Sequence, residues 1–219
     1  MPIDIYIQII ATVGVIISAA IGSLKYRKLN TKNKELLHSN KKIITELSAI
    51  TVLFNHKFLS LLNDTIEEIF STTRTTRFLL LFAVNGKESF NTVTVCFERN
   101  THPELSGATK RYIRLEVDDQ YKLMLKKAEN DGTVAMSTAT MTDSMLKDIY
   151  SSYNETVNHS MIHFLRRISI DGSNDLLLYC STATIEEDDF NREEKFTISR
   201  SISMMRNEAQ NSLSTSPGF

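Results

Sequence analysis

The chain has 219 residues, 42% of them hydrophobic, with a formal net charge of −1, two cysteines and no tryptophan. Near-neutrality argues against sequence-independent nucleic-acid binding, which rests on an excess of Lys and Arg over phosphate. Two cysteines do not make a disulfide framework, and the length leaves room for one ordinary domain beyond any terminal segment.

Residues 5–24 are uncharged and mostly apolar; Gln8, Thr12 and Ser18 are among the polar exceptions. A helix of that length covers roughly 30 Å, the thickness of a bilayer's hydrocarbon core. A cleaved secretory signal would carry its positive charge before the apolar run, and a core helix would show a polar face. Here the charge follows: Lys25, Arg27, Lys28, Lys32, Lys34, Lys41 and Lys42 stand against the single acid Glu35. The positive-inside rule therefore predicts a single-pass anchor in the cell (inner) membrane, with residues 1–4 outside and the rest cytoplasmic. Tyr6 and Tyr26 fall at the two expected interfaces, and Lys25, Arg27 and Lys28 meet anionic headgroups, so the lipid bilayer is the first expected partner.

A basic helical stalk is expected over residues 25–50. Leu29, Leu36, Ile43 and Ile50 recur every seven residues, with Asn33, Asn40 and Leu47 four positions after the first three. That is an a/d seam, and it predicts a parallel homodimer whose buried asparagines restrict register. The competing reading is a single helix packed on its own domain.

The apolar positions Phe54, Phe58, Leu61, Leu62, Ile66, Ile69 and Phe70 carry the helical period to about Thr73. Strands are expected over 77–84 and 91–98, joined across Asn85-Gly86, then a third over 112–117. A helix over 119–128 ends before Asn130-Asp131-Gly132. Residues 134–141 read as a short strand or an irregular connection, and 143–150 as a helix that Asp143 can cap. Two more strands, 161–170 and 176–184, flank Asp171-Gly172-Ser173-Asn174, and a last helix starts near Asp189 and runs to about Asn207. Ser, Thr, Pro and Gly then mark residues 209–219 as a disordered tail. The fold class is α+β: an antiparallel sheet flanked by helices, over residues 51–208.

Over residues 48–207 this order resembles a GAF domain, within the wider GAF/PAS group of sensory folds. The features that carry the resemblance are Ser160-Met161-Ile162-His163, Asp171-Gly172-Ser173, the strand 176–184, and Phe190, Glu193 and Glu194 opening the last helix. The resemblance implies a pocket between the sheet and residues 119–153. The sequence departs from the family in having no glycine within 176–184 and no motif for a known GAF ligand. Cyclic-nucleotide or bilin binding is accordingly not carried over.

Four sets of residues bear on possible chemistry. His159 and His163 supply two metal ligands without a third, so no metal site is expected. Cys96 with His102 lacks an orienting partner, and both Cys96 and Cys180 read as buried thiols. Glu116, Asp118 and Asp119 are explained by a turn and a helix start. Arg74 and Arg77 could meet an anion, with terminal helix carbonyls as the plainer partner. No phosphate loop, His-Glu-x-x-His or paired Cys-x-x-Cys occurs, so no catalysis and no cofactor are expected. The function expected is a sensory or protein-interaction module acting through a separate cytoplasmic or membrane protein. A small-molecule ligand is left unassigned, and a structural membrane adaptor that binds none is the alternative.

Overall fold

The computed structural model describes residues 31, 32, 34, 56–85, 90–141, 144–169 and 175–214. Contacts divide the chain after Leu47. In the first part only Thr31, Lys32 and Lys34 are described, each helical, so the expected anchor and nearly all of the stalk lie outside the described residues. Among the described residues no helix is long and apolar enough to cross a membrane.

The second part begins with helix α1, His56–Thr72. Phe58, Leu62, Ile66 and Ile69 are buried along one face at spacings of three and four, as the apolar period requires. Its end is written in threonines. The Thr72 and Thr73 hydroxyls donate to the carbonyls of Glu68 and Ile69 at 2.6 and 2.7 Å, adding side-chain donors to the last turn, where the Thr73 amide also reaches Ile69.

Strand β1, Arg77–Asn85, and strand β2, Phe90–Asn100, pair antiparallel. A short helix α2, Ala108–Arg111, leads to β3, only Leu115–Glu116. Helix α3, Asp119–Asp131, precedes β4, Thr133–Ser137, and helix α4, Met145–Ser152. Strands β5, His159–Ser169, and β6, Asp175–Thr184, are followed by the long helix α5, Arg192–Ser214. The six strands lie in the order β3-β2-β1-β6-β5-β4, every pair antiparallel.

The central strands β1 and β6 are apolar on both faces because both faces are covered, which explains their near-continuous leucine runs. Phe78, Leu80, Leu178 and Cys180 point to a core shared with α1 and α5; Leu79, Leu81, Leu177 and Tyr179 point to a second core beneath α3 and α4. Each fully buried Phe or Leu contributes about 1.5–3 kcal/mol of transfer free energy, so the two cores together hold the three layers. Bulges keep this alternation in phase. The β1–β2 register slips between Leu80 and Leu81 opposite Cys96, whose thiol donates to the Leu80 carbonyl at 3.2 Å.

Three expectations need correction. The strand expected over 112–117 shrinks to two residues, because Arg114 sits at φ 51 and turns the chain there. Helix α4 is capped by Ser144, whose hydroxyl accepts from the Leu146 amide at 3.3 Å; Asp143 lies outside the described residues. The last helix continues to Ser214, past its expected end and into the expected tail. Residues 215–219, the expected turn beyond Asn85 from Gly86 on, and that at residues 171–174 are likewise outside the described residues.

Candidate functional site

Two features of the second core draw attention, an enclosed cavity and a buried ionic cluster beside it. The cavity lies between the sheet and α3–α4, where the resemblance implies a pocket. Arg77, Leu79, Tyr112, Tyr121, Ile149 and Tyr150 are among its walls. Its volume is about 30 Å³, space for one or two waters, against roughly 300–1,000 Å³ for ordinary ligand pockets.

Helix ends hold these walls in place. Asp118 caps α3 through Oδ1, which accepts from the Tyr121 amide at 2.7 Å, while its Oδ2 accepts from the Met145 amide at 2.6 Å. One carboxylate thereby ties together the starts of α3 and α4. Asp119 pairs with Lys122 on the surface and Glu116 is exposed, so this acidic trio serves the fold. On the β2 side, both Glu98 oxygens accept backbone amides, from Gly107 and Thr109, each at 2.6 Å. Gly107 lies at φ 100, a conformation that disfavours side chains, and this turn delivers Arg111 and Tyr112 inward.

The ionic cluster centres on Glu155, in the loop between α4 and β5. Arg77 Nη1 donates to Glu155 Oε2 at 2.6 Å, and the Tyr112 hydroxyl donates to the same oxygen at 2.5 Å. Arg111 Nη2 stands 2.7 Å from Oε1. Arg77 and Glu155 side chains are 2% and 0% exposed, whereas that of Arg111 is 23% exposed. Both guanidiniums lie over rings, Arg77 over Tyr150 at 5.3 Å and Arg111 over Tyr153 at 4.8 Å. Burial is the largest influence on Arg77 and opposes its charge, but the facing Tyr150, Glu155 and Tyr112 outweigh it and keep it protonated. Burial pushes the Tyr112 phenol up, and Glu155 adds to the shift, so it stays a donor. Deeper in, the Tyr121 and Tyr179 hydroxyls share a hydrogen bond of 3.0 Å.

Outside this cluster lies an open groove of about 420 Å³ bordered by Lys147, Tyr150, Ser151, Asn154, Glu155 and Asn158. Tyr150 borders both groove and cavity. Tyr150 therefore stands between the groove and the cavity, with Glu155 on the groove side.

The other sequence candidates are placed as follows. Arg74 meets a carboxylate: its Nε and Nη2 donate to Glu194 Oε1 and Oε2 at 3.0 and 2.9 Å, and its Nη2 also donates to the Asp189 carbonyl at 2.7 Å. Terminal helix carbonyls are thus the principal partner of neither arginine. Glu194 is also the N3 member of a capping box, with its Oε2 accepting from the Asn191 amide at 2.8 Å while Asn191 Oδ1 accepts from the Glu194 amide at 3.0 Å. The Arg74 bonds, with the Asn191 amide, hold Glu194 down at about 2. The last helix, expected to start near Asp189, is thus capped at Asn191. His163 is sealed in the sheet, its Nδ1 2.9 Å from Thr133 Oγ1, and burial pushes it down to about 3. His159 Nε2 is 2.8 Å from the Glu187 carbonyl. Among the described residues no group of three metal-ligating side chains gathers. Burial pushes the Cys96 thiol up to about 12, removing it as a nucleophile, and Cys96 and Cys180 are both free. The interface residues Tyr6, Lys25, Tyr26, Arg27 and Lys28, and the seam Leu29, Asn33, Leu36, Asn40, Ile43, Leu47 and Ile50, lie outside the described residues.

No protein-family model matches the chain, and no curated protein matches it. Solved structures do match in fold. The GAF domain/HD domain protein from Geobacter sulfurreducens is similar at 8% identity and a TM-score of 0.50, covering 74% of this chain and 97% of its own. A red/green cyanobacteriochrome in its red light-absorbing state is similar at 10% identity and a TM-score of 0.50, covering 74% and 99%. A far-red cyanobacteriochrome photoreceptor is similar at 10% identity and a TM-score of 0.50, covering 80% and 98%. The fold is GAF-like.

Proposed function

We propose that this chain is a membrane-anchored, non-catalytic interaction module that works through a protein partner, with a GAF-like domain whose ligand side is filled by its own side chains. The observation that carries this reading is the cavity of about 30 Å³, with Tyr112, Tyr121 and Tyr150 among its walls. A nucleotide or tetrapyrrole would need roughly ten times that space. The membrane address rests on the apolar run 5–24 and the basic residues behind it, and the GAF-like domain is then cytoplasmic. The heptads over the stalk support a parallel dimer with its partner surface on the cytoplasmic domain.

Thermal unfolding of the full chain in detergent, with cyclic GMP, cyclic AMP and biliverdin as probes, tests the closed pocket. No change in melting temperature is expected, since only a ligand of the native state raises it. A saturable rise with any of the three overturns the interaction reading in favour of a sensor. One observation keeps the sensory reading in view: Tyr150 borders both the open groove and the cavity. Oxidation of Asn33→Cys in membranes tests the dimer, and failure to form a disulfide-linked pair removes it.

A further inference from the structure

The ionic cluster has the wrong charge balance for a purely structural device. Two guanidiniums face one carboxylate, and among the described residues no second acid touches either of them. Arg77 Nε and Arg111 Nε are buried without a hydrogen-bond partner. Unmet buried donors are costly, and a site of charge +2 holds a dianion more strongly than a monoanion. Tyr150 and Tyr153 each cover one face of a guanidinium; Arg77 Nη2 also donates to the Tyr150 hydroxyl at 3.3 Å and Arg111 Nη2 to the Ser106 carbonyl at 2.7 Å, so the two Nε–H groups are the edge donors left to an anion.

We propose that Arg77, Arg111 and Tyr112 form a binding site for a phosphate-type dianion, and that Glu155 occupies it as an internal stand-in. The dianion comes by the open groove past Lys147 and Tyr150, takes the donors now given to Glu155, and satisfies the two Nε–H groups as well. Glu155 and Tyr153 lie on the same short loop, so displacing the carboxylate also lifts Tyr153 from Arg111. Anion occupancy is thereby coupled to the surface of residues 153–158. This goes beyond the interaction reading and does not require it: that reading concerns large ligands, and this one a small anion.

The test uses the full chain in detergent at mildly alkaline pH, comparing sodium phosphate with sodium chloride at equal ionic strength. Glu155→Ala should gain a saturable rise in melting temperature of about 5 °C in phosphate over chloride, with a smaller rise for the unaltered chain because Glu155 competes. Adding Arg77→Met should abolish the gain. Equal responses to phosphate and chloride in Glu155→Ala, or a gain that survives Arg77→Met, overturn the proposal as an adventitious ion only. Should Glu155→Ala fail to fold, Glu155→Gln keeps the side-chain volume without the charge, and the same comparison decides. Hydrogen exchange reads the displacement itself: residues 153–158 of the unaltered chain should exchange faster at saturating phosphate, and unchanged exchange overturns the coupling.

Discussion

Arg74 and Arg77 are one helical turn apart in sequence and occupy opposite electrostatic worlds. Arg74 reaches Glu194 at the rim of the α1–α5 face, with a side chain 37% exposed. Arg77, 2% exposed, reaches Glu155 inside the other core. The first pair reinforces a helix cap that would exist without it, since Asn191 already supplies the reciprocal bonds. The second replaces hydration that neither charge can recover, because no water reaches them in bulk. An arginine–glutamate pair is therefore not one kind of interaction: its worth is set by what remains for each partner when the other is removed.

Breaking the inner pair should cost most. Arg77→Met leaves Glu155 buried with its balance altered, and urea denaturation should record a loss of about 3–5 kcal/mol. A buried group that no opposite charge faces among the described residues sharpens the point. His163 has its folded pKa lowered from 6.5 to about 3 by burial, so below 6.5 the unfolded chain takes up a proton that the folded chain refuses. Stability should then fall by up to about 1.4 kcal/mol per pH unit between 6.5 and 3, and His163→Gln should remove that component from the pH profile.

Breaking the outer pair should cost less. Arg74→Ala is expected to lose much less than Arg77→Met in the same urea assay, given the exposure of Arg74 and the surviving cap. Its pH signature has the opposite origin to that of His163. Glu194 has its folded value lowered from 4.5 to about 2, so its stabilisation is present above 4.5 and drains away as pH falls toward 2; Arg74→Ala should flatten that acid limb. Phe196→Ser, at a position 67% exposed and outside both pairs, sets the baseline at within about 0.5 kcal/mol.

The sequence carried the parts of the fold that periodicity encodes. Strands β1, β2, β5 and β6 announced themselves as apolar runs, and α1 as a stripe from Phe58 to Ile69. Tyr112 misled for a physical reason: alternation around it is real, but Arg114 turns the backbone and the tyrosine serves Glu155 instead of a ladder. The cluster was only half legible. Arg77 reads, with Arg74, as a charge that could meet an anion beside a helix end, with terminal helix carbonyls as the plainer partner. Glu155 gives no such signal, because it lies in a loop without period, 78 residues from Arg77 and 43 from Tyr112. Spacing along a chain cannot report contacts made across a sheet.

The short outer strands also have a consequence for association. An incoming chain that sought backbone pairing would find two residues of β3 at one side of the sheet and five of β4 at the other. The flank of β2 beyond β3 is already occupied, its Val95 amide bonded to the Tyr112 carbonyl at 2.8 Å. Recognition by strand addition is sequence-tolerant because it reads backbone; this sheet leaves little to read. Whatever binds the domain must be chosen by side chains, and single surface substitutions can then separate one companion from another.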